Sequence, residues 1–178
     1  MTNCCVTVHK VIAAAMLCLA ALAATGCCRP ARQPFNIALE VDPAVEHAFT
    51  MDLVGLRPGD ADLRNASVDE YFRPGSALRS DVRDRTWTIN VPAGGMQTEQ
   101  VVVPRDDPKW NDLRDAGVMD LMIIVNRLNA ATYEVGGTDT RQRVVSLDRC
   151  RWRKHGNKIT IRAQRSRLDY LPQPDPPQ

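Results

Sequence analysis

Few side chains in this sequence are spaced to do chemistry. One dense cluster is Arg149-Cys150-Arg151-Trp152-Arg153-Lys154, followed by His155, and the other histidine of the chain's body is His47. With Cys150, these two histidines lack any short metal-ligand spacing. Glu46-His47 and Asp106-Asp107 are adjacent pairs whose side chains point apart in a strand or a cap, so they read as solvated turn residues and not as acid-base dyads. The chain has no Gly-x-Ser-x-Gly elbow, phosphate-cradling glycine loop or dinucleotide fingerprint. No catalytic residue, metal or cofactor is therefore expected, and the chain is not expected to be an enzyme. What does stand out is Arg149, Arg151 and Arg153 at every second position, a spacing that sets guanidinium groups on one face of a strand, where they can hold carboxylates or phosphates.

The other chemically marked stretch is Leu22-Ala23-Ala24-Thr25-Gly26-Cys27-Cys28. It follows Val11 to Ala24, an apolar run of 14 residues preceded by Lys10. That run is shorter than the ~20 residues a membrane-spanning helix needs and has the length of a signal-peptide core. The small residues before Cys27 make the stretch resemble a bacterial lipobox, in which the cysteine sulfur receives a diacylglycerol before the leader is removed. Ala24 stands where leucine is commonest in such signals, and Thr25 where alanine or serine is more frequent. Residues 1–26 are then a signal peptide, Cys27 is the lipidated residue, and acyl chains such as palmitate hold the protein on a membrane. The alternative is an ordinary secretory leader cut near Ala24, with Cys27 left as a thiol. Cys28 after the lipidated position, in place of the aspartate that typically retains such proteins at the inner membrane, implies the outer membrane, facing the periplasm.

Removing the leader leaves 22 basic against 21 acidic residues and a net charge of +1, which offers no global field to attract nucleic acid. No nucleic-acid partner is expected. Beyond Cys27 only Cys28 and Cys150 remain for an oxidising compartment. They could form a disulfide, or Cys150 could be a buried thiol within a strand.

The elements that must position these residues are short. Residues 27–34 carry two prolines and read as a tether reaching about 25 Å. Phe35 to Val41 alternates apolar and polar as a half-buried strand, Asp42-Pro43 ends it, and a second strand runs from about Ala48 to Leu56 with Phe49, Met51 and Leu53 inward. Ser67-Val68-Asp69-Glu70 has the form of a capping box, opening a short helix whose Val68, Tyr71 and Phe72 should form a lid over an open end or edge of the sheet. Thr86 to Val91 and Thr98 to Val103, joined through Gly94-Gly95, read as a hairpin. Asp107-Pro108 and Gly117 bracket a short helix with Trp110 and Leu113 on one face. Met119 to Val125 is apolar at both parities after Asp120, as a central strand covered on both faces would be, and Asn129 to Thr140 reads as a long loop.

A second hairpin is expected from Arg143 to Trp152 and Lys158 to Ala163, turning at Gly156-Asn157. Its register places Arg151 opposite Arg162 and gathers Arg149, Arg151, Arg153 and Arg162 on one surface, with Trp152, Ile161, Cys150 and Ala163 on the other. Val145 and Leu147 have the opposite parity to Trp152, so a bulge near Asp148 is required if all are core. Like charges facing one another call for anions or carboxylates between them, supplied either by an acidic partner or lipid head groups, or by acids on the adjacent strand. Residues 172–178 are proline-rich and read as a disordered tail. The whole is an all-β chain, an antiparallel β-sandwich of about seven short strands with two short helices, spanning residues 35–171.

This order resembles the outer-membrane lipoprotein of type VI secretion systems (TssJ-like). The residues that carry it are the acylated leader, the strand Met51-Asp52-Leu53-Val54-Gly55-Leu56, the apolar strand Met119 to Val125 and the closing Ile159-Thr160-Ile161-Arg162. The resemblance implies a small β-sandwich that anchors a secretion complex by binding the periplasmic part of an inner-membrane subunit. It also implies a partner contact in the loop after the first strand, Asp42 to His47 with Glu46. A helix near Asp106 to Ala116 and the long loop at Asn129 depart from the family's pattern. The alternative function is a free-standing lipoprotein binding module for a saccharide, a peptide or an envelope polymer.

Overall fold

Apolar alternation builds eight strands among the described residues, which in this computed structural model are 34–94, 98–128, 139–152 and 154–176. Strands β1 (Asn36–Val41) and β2 (Phe49–Leu56) are followed by three short helices, α1 (Ala61–Asn65), α2 (Val68–Phe72) and α3 (Ala77–Asp81), and by a 3-10 turn at Arg83–Arg85. Next come β3 (Thr86–Val91), β4 (Gln100–Val103), helix α4 (Lys109–Asp115), β5 (Asp120–Val125) and β6 (Gln142–Ser146). A second 3-10 turn at Arg149–Trp152 leads to β7 (Lys158–Ala163) and β8 (Leu168–Leu171).

Two four-stranded sheets result, one in the order β4-β1-β7-β8 and the other β3-β2-β5-β6. Ile37, Leu39, Ile159 and Ile161 of the first face Met51, Leu53, Leu121 and Ile123 of the second across one continuous core. The sandwich is as expected, but the first sheet is mixed, because β1 and β7 pair in parallel from Asn36↔Lys158 to Val41↔Ala163. Strands so far apart in sequence need no tight turn between them, so parallel pairing carries no connection penalty.

Neither expected hairpin forms. β3 pairs with β2, whereas β4 pairs with β1 in the other sheet, so the two strands belong to opposite layers of the sandwich. Likewise β6 pairs with β5 and β7 with β1 and β8. Alternation marks a strand and its buried face but not its neighbour. The parity conflict between Val145 and Trp152 is resolved without a bulge: β6 stops at Ser146, and the 3-10 turn swings Trp152 into the core, where its Nε1 donates to the Ser146 carbonyl at 2.6 Å and its ring meets Phe35 edge-on at 5.2 Å. Gly156 does turn the chain with φ +73°, but out of that 3-10 turn and into β7.

Among the described residues the α-helices number four, where two were expected. α1 to α3 lie on the outer face of the second sheet and not at its end: Leu63, Val68, Tyr71 and Val82 close a second apolar cluster over Val54, Leu56, Met122 and Ile124. This accounts for a β5 that is apolar at both parities. Half of the capping box is realised, with the Ser67 hydroxyl accepting from the Glu70 amide at 3.1 Å. Ion pairs fasten the layer, since Arg64 meets Asp120, Arg85 meets Asp60, and Arg141 bridges Asp139 and Asp69 at 2.8 Å each. Burial alone would push the Asp60 carboxyl up, but hydrogen bonds from Arg85 and the Arg57 amide outweigh it and hold the group below its ordinary value.

Helix α4 closes one end of the sandwich with Trp110 and Leu113 buried, and Gly117, at φ +83°, ends it while the Val118 amide reaches back to the Leu113 carbonyl at 3.0 Å. The tail expected to be disordered is instead placed as far as Pro176: the Asp175 amide donates to the Arg151 carbonyl at 2.8 Å, and Arg151 Nε to the Asp175 carbonyl at 2.9 Å. The leader, Cys27, Cys28, the tether before Pro34 and most of the loop from Asn129 lie outside the described residues, as does the Cys150 side chain.

Candidate functional site

The loop after β1 is short because its ends are tied. Asp42 Oδ1 accepts from the Ala44 amide at 2.8 Å, the Asp42 amide donates to the Ala163 carbonyl at 2.9 Å, and Val45 is buried as a plug. Pinned in this way, the loop presents Asp42, Glu46 and His47 to solvent.

Arg162 stands beside it on β7. Its Nε donates to Glu40 Oε2 at 2.7 Å, and across the other edge it registers with Asp169. The acids on adjacent strands thus supply the neutralisation that an isolated arginine face would lack. Glu40, Asp42, Thr98, Glu99, Arg162 and Gln164 line one cleft of about 540 Å³, which brings two of the expected contact residues, Asp42 and Arg162, together. At its rim a hydrogen bond from Lys158, aided by Thr160, holds the Glu99 carboxyl below its ordinary value.

Arg149 and Arg151 do not line this cleft. Arg149 and Arg151 lie on the 3-10 turn, not on a strand, and Arg151 is engaged by the backbone of Asp175. Arg151 therefore does not face Arg162, whose strand neighbours are Glu40 and Asp169. Arg153 lies outside the described residues.

A second constellation escaped the sequence reading. Asp52, in the middle of β2, is fully buried on the outer face of the second sheet. Its carboxylate accepts from Tyr71 Oη at 3.0 Å, Arg79 Nε at 2.8 Å and Thr88 Oγ1 at 2.8 Å. Burial, reinforced by the Asp52 charge, pushes the Tyr71 hydroxyl well up, so it remains a neutral donor. The hydrogen bond to Asp52 also raises Arg79. Asp52, Arg79 and Thr88 floor a cleft of about 540 Å³ with Arg73, Arg83 and Lys109 on its walls. Arg79 lies 4.9 Å over the Phe72 ring, while Lys109 Nζ donates to the Thr86 carbonyl at 2.6 Å and sits 5.6 Å from the Trp87 ring centre. A lone acid at an otherwise apolar stretch of strand was the available signal, since such a group must find donors once covered.

No protein-family profile matches the chain, and no curated protein matches it significantly. Among solved structures, it is similar to Lip of Serratia marcescens, a membrane-bound component of the type VI secretion system, at 10% identity over 76% of this chain and 95% of that one, with a TM-score of 0.46. It is also similar to the type VI secretion lipoprotein TssJ1 of Pseudomonas aeruginosa, at 12% identity over 80% of this chain and 95% of that one, with a TM-score of 0.39. Likenesses at this level assign no role.

Proposed function

We propose that this chain is a lipoprotein acylated at Cys27, held on the outer membrane and facing the periplasm, where it acts as a non-catalytic assembly subunit. The observation that carries the reading is the Gly26-Cys27 signal, which stands nine residues before the first strand of a two-sheet sandwich. A short proline tether separates lipid from fold, so the domain needs only surfaces to do its work. The order of elements supports a role like that of the type VI secretion lipoprotein, binding the periplasmic part of an inner-membrane subunit. For that contact the best-formed surface is the pinned loop bearing Asp42, Glu46 and His47 with the adjoining Arg162 cleft. Arg149 and Arg151 do not line that cleft and carry no part of this reading.

Two measurements test the two halves. Radioactive palmitate should label the wild-type chain and leave Cys27→Ser unlabelled; an unlabelled wild type removes the anchor. In a host whose secretion complex includes the chain, Asp42→Arg combined with Arg162→Glu should abolish co-purification of the inner-membrane subunit, and undiminished recovery removes the interface.

A further inference from the structure

The cleft over Asp52 lies on the outer face of the second sheet, whereas Asp42 and Arg162 belong to the loop and outer face of the first. Its composition is one-sided. Arg73, Arg79, Arg83 and Lys109 line it against a single acid, Asp52, which Arg79 neutralises. Among the described residues, Arg73 and Arg83 have no ion-pair partner, and both are exposed. Such groups are left to meet an anion, and guanidinium forks match carboxylates two bonds at a time.

The floor is built rather than accidental. Asp52, fully buried, fixes Arg79 through Nε and Nη2 at 2.8 and 3.3 Å, and the guanidinium lies over Phe72. Lys109 is likewise held by the Thr86 carbonyl. Half of the positive charge is thus pre-positioned by the fold, which lowers the ordering cost of binding. Phe72 and Pro74 add apolar wall beside the cations, and Ser80 and Thr88 add hydroxyls.

From this arrangement we propose that the cleft is a docking site for an acidic peptide segment of a protein partner, taking aspartate or glutamate side chains between Arg73, Arg83 and Lys109. The concave shape decides for a peptide over a membrane surface, which is flat on this scale and would touch the rim alone, leaving Lys109 and the Phe72 wall unused. A segment of a few residues fills the volume of about 540 Å³ with both its carboxylates and its backbone.

The test uses the full acylated chain in phosphatidylcholine nanodiscs and a fluorescein-labelled peptide of alternating aspartate and serine, read by fluorescence anisotropy. Saturable binding is expected, weakened about tenfold or more in Arg73→Glu/Arg83→Glu. Arg165→Glu, an exposed change between β7 and β8, should bind as wild type does. If the double reversal lowers the melting midpoint, Arg73→Gln/Arg83→Gln takes its place with the same expected direction. Absence of saturable binding, equal affinity in the cleft variant, or an equal loss in Arg165→Glu overturns the proposal. Displacement of the peptide by millimolar inorganic phosphate overturns it in favour of a simple anion site, and displacement by phosphatidylglycerol vesicles overturns it in favour of a membrane surface.

Discussion

At the scale of single residues, Asp52 decides most. A carboxylate with no exposed surface is tolerated only when donors surround it, and Tyr71, Arg79 and Thr88 supply them from three separate elements. Replacing it with asparagine turns an amide N–H₂ toward those donors and leaves Arg79 without its counter-charge. Asp52→Asn should therefore lower unfolding free energy by about 2 kcal/mol or more, while Tyr71→Phe, which removes one neutral donor, should cost about 1 kcal/mol. Urea titration of both variants checks the order; a larger loss from Tyr71→Phe would mean that packing, not the carboxylate, holds α2 in place.

At the scale of elements, close approach matters more than propensity. A Cβ placed at Gly55 would stand 2.8 Å from Leu113 Cδ2 and 2.9 Å from Val118 Cγ2, because α4 and the turn after it press directly on β2. Gly55→Ala should cost about 1–3 kcal/mol, read as a lowered thermal midpoint, with the damage concentrated in α4 amide protection. If hydrogen exchange in α4 is unaltered, the end cap does not rest on that contact. The same element shows the reach of sequence reading. Trp110 and Leu113 were legible as one helical face from their spacing, and Gly117 as its stop. Their meeting with Gly55 was not, since nothing local ties residue 55 to residues 113 and 118.

At the scale of the whole molecule, charge pairs hold the helical layer to the second sheet, and their pH dependence has a definite sign. Asp60 and Asp69 both sit below their ordinary value: for Asp60 the Arg85 and Arg57 hydrogen bonds outweigh burial, and for Asp69 the hydrogen bond from Arg141 leads. A carboxyl lowered by folding adds stability that is whole above its unfolded value, 3.8 for both, and is lost as pH falls through the folded value. Stability should thus be level from neutral pH to about pH 5 and fall below about pH 4, less steeply in Arg141→Gln. Circular dichroism melts across that range measure it, and a decline beginning near pH 6 would mean that these two carboxyls do not set the acid limit.

The sequence by itself determined seven of the strands and the buried face of each, though not β8, together with where α4 begins and ends and that two packed layers of β-structure must result. These follow from local rules: periodicity, caps and turn residues act within a few positions. Tertiary structure alone decided which strands pair. Thr86–Val91 and Gln100–Val103 looked like two arms of a hairpin and went to opposite sheets; Arg149 to Trp152 looked like a strand and became a turn, because Trp152 could reach the core beside Phe35 only by leaving the line of β6. With that turn Arg149 and Arg151 left the strand face on which Arg162 stands. Basic groups from the end of α2, from α3, from the following turn and from α4 gathered instead over Asp52, 21 to 57 positions away along the chain. A charge cluster assembled across elements is invisible to spacing, because its members meet only after the apolar faces beneath them have packed.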